Sequence, residues 1–169
     1  MSITIFSTYS ESFPLSHIVY VGSVFEISAE NRKGESTHSF KIITSSSVMY
    51  CNYRDEEAAK TAHDSLEKQL GEYGRKLFKN AGDIIDVSRV TSFSKVITLK
   101  KPQQNCTHAI ILNIDTCTDE KQRQIWLHYK SDESATNARK ALYTLISMAS
   151  GNRAVPAHEE KNEEALVTA

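Results

Sequence analysis

The sequence predicts an α+β protein, built as a tandem duplication of a mostly antiparallel unit of four strands and one helix (ββββα-ββββα). The first observation is that a stretch starting at Met49 aligns without a gap with a stretch starting at Ile125. The second is that each stretch runs from an alternating strand into apolar residues at helical spacing. Strands followed by one long helix, twice over, favour antiparallel sheets with helices packed against them.

The two copies share residue types at matching positions. Tyr53 aligns with Tyr129, and upstream Thr37-His38 aligns with Thr107-His108. The second copy carries extra polar residues around 118–121, which predict a lengthened hairpin loop.

Strands are predicted where β-branched and aromatic residues are concentrated between turn residues. In the first copy these segments are HIVYVGSVFEISAEN, read as one or two strands, then SFKIITSS and VMYCNY. In the second copy they are IIDVSRV, SKVITLKK, HAIILNID and RQIWLHYK.

Two helices of about four turns are predicted, near residues 55–72 and 131–150. The first begins at Asp55 and the second at Ser131, and both have acidic residues in the first turn, where the helix dipole favours them. Each helix has an apolar face at helical spacing, formed by Ala59, Ala62, Leu66 and Leu70 in the first and by Ala135, Ala138, Leu142, Leu145, Ile146 and Ala149 in the second.

The repeat predicts the domain organisation. We expect a first ββββα copy over residues 1–74, a linker over 75–82 and a second ββββα copy over 83–151. Residues 152–169 are expected to form a disordered acidic tail, because the stretch 159–164 contains four Glu and one Lys and there is little apolar surface to offset ordering.

Composition excludes several classes of protein. The 169 residues carry 20 Lys+Arg and 21 Asp+Glu, a net charge of −1, which excludes a strongly basic nucleic-acid coat and a highly charged disordered chain. We find no apolar run of membrane-spanning length and no secretory signal at the N-terminus. The three cysteines form no C-x-x-C pair, so we expect reduced thiols in a soluble, cytoplasmic protein.

No catalytic motif is recognisable in the sequence. There is no G-x-S-x-G nucleophile elbow, no Gly-rich phosphate loop, and no Cys/His cluster with the spacing of a metal site. We therefore predict a non-enzymatic protein with no catalytic residues, no cofactor and no metal. The matched His38 and His108 could be ligands or proton shuttles, but a shared capping or turn role is favoured.

Strand alternation indicates a binding surface. In QIWLHYK, a period of two places Ile125, Leu127 and Tyr129 on one face and Trp126, His128 and Lys130 on the other. Aromatic rings among cations on an open sheet face are what a binder of single-stranded nucleic acid uses, because bases stack on rings and cations contact phosphates. The candidate nucleic-acid-binding residues are Tyr50, Arg54, Lys95, Lys100, Trp126 and Lys130.

A duplicated four-strand and one-helix unit over residues 18–150, with exposed strand residues such as Tyr50 and Trp126, resembles the Whirly and Pur families of single-stranded nucleic-acid binders. The resemblance implies binding on exposed sheet faces and assembly into dimers or tetramers. Pleckstrin-homology-like barrels, each capped by one C-terminal helix, are the alternative fold.

The alternative function is a protein-protein interaction or assembly module that uses open sheet faces or strand edges. We also expect a homo-oligomer, a dimer or larger, because the second helix is apolar around more of its circumference than one sheet face covers. The residues behind this expectation are Leu142, Leu145, Ile146 and Met148.

Overall fold

A computed structural model describes residues 5–8 and 11–149 and shows a mixed α+β fold in which every strand pairing is antiparallel. The predicted tail, residues 152–169, lies outside the described residues. The first part of the chain contains β1 (Ile5–Ser7), β2 (Ser12–Pro14), β3 (Ile18–Val21), β4 (Phe25–Glu26), β5 (His38–Thr44), β6 (Val48–Tyr53) and helix α1 (Glu56–Glu72). The second part contains β7 (Leu77–Asn80), β8 (Asp83–Asp86), β9 (Val90–Phe93), β10 (Ile97–Gln103), β11 (Cys106–Ile114), α2 (Glu120–Arg123), β12 (Gln124–Tyr129) and α3 (Asp132–Ala149).

The two long helices confirm the helical spacing predicted from the sequence. At the start of α1, the Asp55 carboxylate accepts a hydrogen bond from the backbone N–H of Ala58 at 2.7 Å, which satisfies one of the amides that the first turn leaves without a partner. Before α3, the Ser131 hydroxyl accepts from the backbone N–H of Ser134 at 3.1 Å. Each cap lies where a polar residue precedes an apolar periodic segment.

The connection around 118–121 is longer than the β5–β6 connection, as expected, and it contains a short helix that was not predicted from the sequence. The Asp119 carboxylate accepts from the backbone N–H of Gln122 at 3.1 Å, so that the four residues of α2 have their own N-terminal cap. The sequence of α2, Glu-Lys-Gln-Arg, consists of good helix formers.

A central strand organises each of the two larger sheets. In the first sheet, β5 pairs with β6 on one side and with β3 and β4 on the other, and β8 and then β7 extend the sheet beyond β3. In the second sheet, β11 pairs with β12 on one side and with β9 and β10 on the other. Within residues 5–8 and 11–149 the sheets do not close into a barrel, so the pleckstrin-homology-like alternative is wrong.

The segment predicted as a linker, residues 75–82, contains β7 and three cations with structural partners. Arg75 donates to the Asp86 carboxylate at 2.6 Å and also donates to the carbonyl oxygen of Ser16. Lys76 donates to the carbonyl oxygen of Met148 at 2.9 Å, and Lys79 forms an ion pair with Glu67. This basic cluster therefore fastens neighbouring elements to one another.

The two halves share a hydrophobic core. One cluster of buried residues combines Tyr20 and Ile43 of the first sheet with Leu112 and Leu127 of the second sheet and Leu142 of α3. A second cluster lies beneath α1 and includes the β1–β2 hairpin. Among the described residues, no helix has the length and apolar character needed to cross a membrane.

Candidate functional site

Each of the two larger sheets carries at least one exposed aromatic ring. Tyr50 in β6 is 57% exposed and precedes the buried Cys51, while Trp126 in β12 is 44% exposed and lies between the buried Ile125 and Leu127. The alternation in β12 thus places the predicted residues on the predicted faces, with the aliphatic side chains turned into the shared core.

Tyr50 forms one wall of a groove that continues across three strands. Phe25 of β4 is the register partner of Ser39 in β5, and Ser39 is the register partner of Asn52 in β6. The rings of Phe25 and Tyr50 meet edge to face, with centroids 6.2 Å apart and an interplanar angle of 89°. The groove has a volume of about 610 Å³, and Lys33 from the β4–β5 connection also lines it.

Ser39 forms the floor of this groove. Its side chain is 1% exposed, and its hydroxyl has no hydrogen-bond partner among the described residues. A buried hydroxyl without a partner costs about 1–3 kcal/mol, so a ligand group that hydrogen-bonded Ser39 would recover part of this cost.

A half-buried polar cluster lies beside the groove on the same sheet. Lys41, the register partner of Tyr50, places its Nζ 5.7 Å from the ring centroid of Tyr20 and 3.5 Å from Oε1 of Gln122 in α2. Burial lowers the pKa of Lys41, against the opposing effect of the nearby Asp83. Burial raises the pKa of Asp83, although its carboxylate accepts from the backbone N–H of Ser23 at 2.8 Å. The contact with Gln122 brings the connection that leads into β12 against the first sheet.

The face around Trp126 is more apolar. Trp126 stacks with His128, with centroids 6.3 Å apart and an interplanar angle of 20°. The register partner of Trp126 in β11 is Ile111, and the cross-strand row through His128 continues to Ala109 and Ile97. In the first sheet, the cross-strand row through Asn52 continues to Ser39 and Phe25.

The predicted cations are all exposed. Arg54 forms an ion pair with Glu35 at 3.4 Å. Lys95 lies in the β9–β10 connection, Lys100 lies in β10 where the pairing with β11 is irregular, and Lys130 follows β12. None of these three lysines makes an ion pair within the part of the chain that the structure describes.

One group of side chains on α1 has the spacing of metal ligands. The donor atoms of His63, Asp64 and Glu67 lie within 4.8 Å of one another. His63 already donates from Nε2 to the carbonyl oxygen of Gly22 at 3.1 Å, and the Lys79 ammonium pairs with Glu67. Two of the three side chains therefore also make structural contacts with neighbouring elements.

No family model, no curated protein and no solved structure matches the chain. The resemblance to the Whirly and Pur families therefore stays a prediction, and function has to be argued from the two sheet faces. Sequence reasoning missed Phe25 and Ser39, because their importance depends on the β4–β5 register. The local signal was the alternation of Phe25 and Ile27 with Glu26 and Ser28.

Proposed function

We propose that this chain is a non-enzymatic module that binds single-stranded nucleic acid on the open faces of its two sheets. The observation that carries the proposal is that Tyr50 and Trp126 occupy corresponding positions. Each lies in the strand before a long helix, three residues before the tyrosine that ends that strand, and each is exposed. An exposed ring gives a base a surface on which to stack, worth about 1–3 kcal/mol per base.

Corresponding hydrogen bonds support the proposal that the two halves are copies of one unit. The Thr37 hydroxyl lies 2.9 Å from Nδ1 of His38 and donates to the carbonyl oxygen of Arg54 at 2.7 Å. In the second half, the Thr107 hydroxyl lies 2.8 Å from Nδ1 of His108 and donates to the carbonyl oxygen of Lys130 at 3.0 Å. A duplicated unit supplies two binding faces on one chain, as the resemblance to the Whirly and Pur families implies.

Phosphate contacts are assigned to the exposed cations Arg54, Lys95, Lys100 and Lys130. Three of the four have no competing ion pair within the described residues, so their charge is available to a backbone that releases counterions when it binds. Binding should therefore weaken steeply as salt rises. The acidic stretch at 159–164 would compete for the same cations, and deleting the residues after Pro156 should tighten binding.

The alternative proposal is a protein-interaction or assembly module, with a dimer or larger homo-oligomer as its simplest form. It is favoured by the exposure of Tyr143 and Met148 on α3. In addition, β6 and β12 each pair on one side only within the described residues. A light-scattering mass of one chain at micromolar concentration would contradict the homo-oligomer.

Trp126 makes the nucleic-acid proposal directly testable, because it is the only tryptophan of the chain. Titration with a single strand of about 20 nucleotides at low salt should quench its fluorescence, and duplex of the same sequence should bind more weakly. Tyr50→Ala and Trp126→Ala, followed with a labelled strand, should each weaken binding by about 5- to 150-fold.

Tyr143→Ala is the matched control, because Tyr143 is an exposed aromatic residue on α3, outside both sheets. Its affinity should equal that of the unchanged protein. Equal losses in Tyr143→Ala and Tyr50→Ala, or no binding at low salt, would contradict the proposal.

A further inference from the structure

We propose that the groove lined by Phe25, Tyr50 and Ser39 is a subsite for one nucleobase, with the base stacked on the exposed Tyr50 ring, the Ser39 hydroxyl hydrogen-bonding the base edge and Lys33 contacting the adjoining phosphate. This inference deepens the proposed function and rests on it where the base belongs to a strand. The same chemistry would also accept a free nucleotide, and the experiment below separates the two sources.

The walls of the groove fit a planar ring. Phe25 is 41% exposed although it contacts Tyr50, so both rings present area to solvent on the same sheet face. The edge-to-face contact holds the Tyr50 ring in a fixed orientation. A fixed and exposed ring is a ready stacking surface, because little side-chain freedom remains to be lost when a base covers it.

The floor of the groove adds a polar group that a stacking surface alone does not need. The Ser39 hydroxyl can donate one hydrogen bond and accept others, and no described residue uses it. Asn52, its register partner in β6, carries an exposed amide with the same two capacities. The edge of a nucleobase carries both donors and acceptors, which is the complement of this pair.

The charge at the groove favours an anionic ligand over a cationic one. Glu26 is neutralised by Arg32 at 2.8 Å, whereas Lys33 has no ion pair within the described residues. The uncompensated charge along the groove is therefore positive. A nucleotide supplies both the planar ring and the anion, whereas an aromatic side chain of a protein partner supplies the ring alone.

The second sheet lacks the polar floor. Ala109 takes the position that Ser39 has in the first sheet, and Ile97 takes that of Phe25. The face around Trp126 can stack a base but offers no buried hydroxyl to read its edge. We therefore expect the face around Tyr50 to prefer one base and the face around Trp126 to bind all bases alike.

Ser39→Ala tests this assignment without disturbing the fold, because the hydroxyl that it removes has no partner to lose. We would measure binding of four homopolymeric single strands by Trp126 fluorescence, and binding of the four nucleoside monophosphates by equilibrium dialysis. The unchanged protein should prefer one base, and Ser39→Ala should reduce that preference by about 2- to 10-fold. Ser65→Ala, at an exposed serine of α1, is the control and should leave it unchanged.

The outcomes separate the subsite from the proposed function. If strands quench Trp126 but Ser39→Ala leaves the base preference unchanged, the subsite is wrong and strand binding stands. If monophosphates bind in a Ser39-dependent way while no strand quenches Trp126, the groove takes free nucleotides and strand binding is wrong. If N-acetyltryptophanamide binds in the groove and no monophosphate does, the groove accepts a protein side chain and the assignment is overturned.

Discussion

The Thr37 hydroxyl donates its proton to the carbonyl oxygen of Arg54 at 2.7 Å, and this contact determines the tautomer of the neighbouring histidine. A hydroxyl has one proton to give, so at 2.9 Å from His38 it can only accept from Nδ1. We therefore assign neutral His38 its proton on Nδ1, and the same argument applies to His108 beside Thr107. The matched threonines thus join the starts of β5 and β11 to the residues that follow β6 and β12, and each histidine donates to its threonine.

Thr37→Val should break this arrangement and lower the free energy of unfolding by about 1 kcal/mol, because the carbonyl of Arg54 and Nδ1 of His38 both lose a partner. Urea denaturation measures the loss, and the nitrogen chemical shifts of the imidazole report the tautomer. Thr61→Val, at an exposed threonine of α1, is the control. A proton on Nε2 of His38 in the unchanged protein would contradict the assignment.

Two neighbouring residues of β12 should lose very different amounts of stability when they are truncated. Leu127 is fully buried in the shared core, so Leu127→Ala should lower the free energy of unfolding by about 2–5 kcal/mol. Trp126→Ala should cost much less and keep a cooperative urea transition, because its ring lies on the open face. Loss of cooperative folding in Trp126→Ala would show that the indole is part of the core, and stacking on it would be excluded.

The Arg75–Asp86 ion pair should be far more sensitive than the other contacts of residues 75–82. Asp86 is buried, and Arg75→Met would leave its carboxylate without a counter-charge, at a cost of about 3–5 kcal/mol. Lys76→Met removes only an exposed contact to the carbonyl of Met148 and should cost less than about 1 kcal/mol. Chemical denaturation at neutral pH measures the free energy of unfolding of both variants. A similar small loss in Arg75→Met and Lys76→Met would refute the structural role of Arg75.

Stability should fall at alkaline pH. Burial raises the pKa of the Cys51 thiol to about 12 and those of Tyr53 and Tyr129 to about 12. The unfolded chain releases these protons near the ordinary values of 9.0 for Cys and 10.0 for Tyr, whereas the folded protein keeps them. Because the folded pKa values are raised, the stabilisation is complete below the ordinary values and is lost as pH rises toward 12.

Cys51→Val isolates the thiol contribution, since it removes one titrating group from the buried side of β6. The difference in urea midpoint between about pH 8 and about pH 10.5 should be smaller in this variant than in the unchanged protein. An identical pH dependence in the two proteins would show that the thiol ionises equally in both states.

The parts of the fold that depend on near neighbours in sequence could be predicted, and the parts that depend on strand register could not. The caps at Asp55 and Ser131 and the alternation around Trp126 are local patterns, and the structure reproduces them. The groove requires Phe25 to meet Ser39 across two strands, and no local pattern encodes that pairing. For the same reason, no local pattern predicts that β8 extends the first sheet.

The pairing of β3 with β8 also determines how long β3 lacks this partner while the chain is being synthesised. Tyr20 and Val21 need Ile85 and Ile84 as partners, and these leave the ribosome about 65 residues later. At about 5–20 residues per second, the nascent chain waits roughly 3 to 13 s with that strand edge open. A chain truncated before residue 83 would lack β8 altogether and would leave this edge of β3 without a partner.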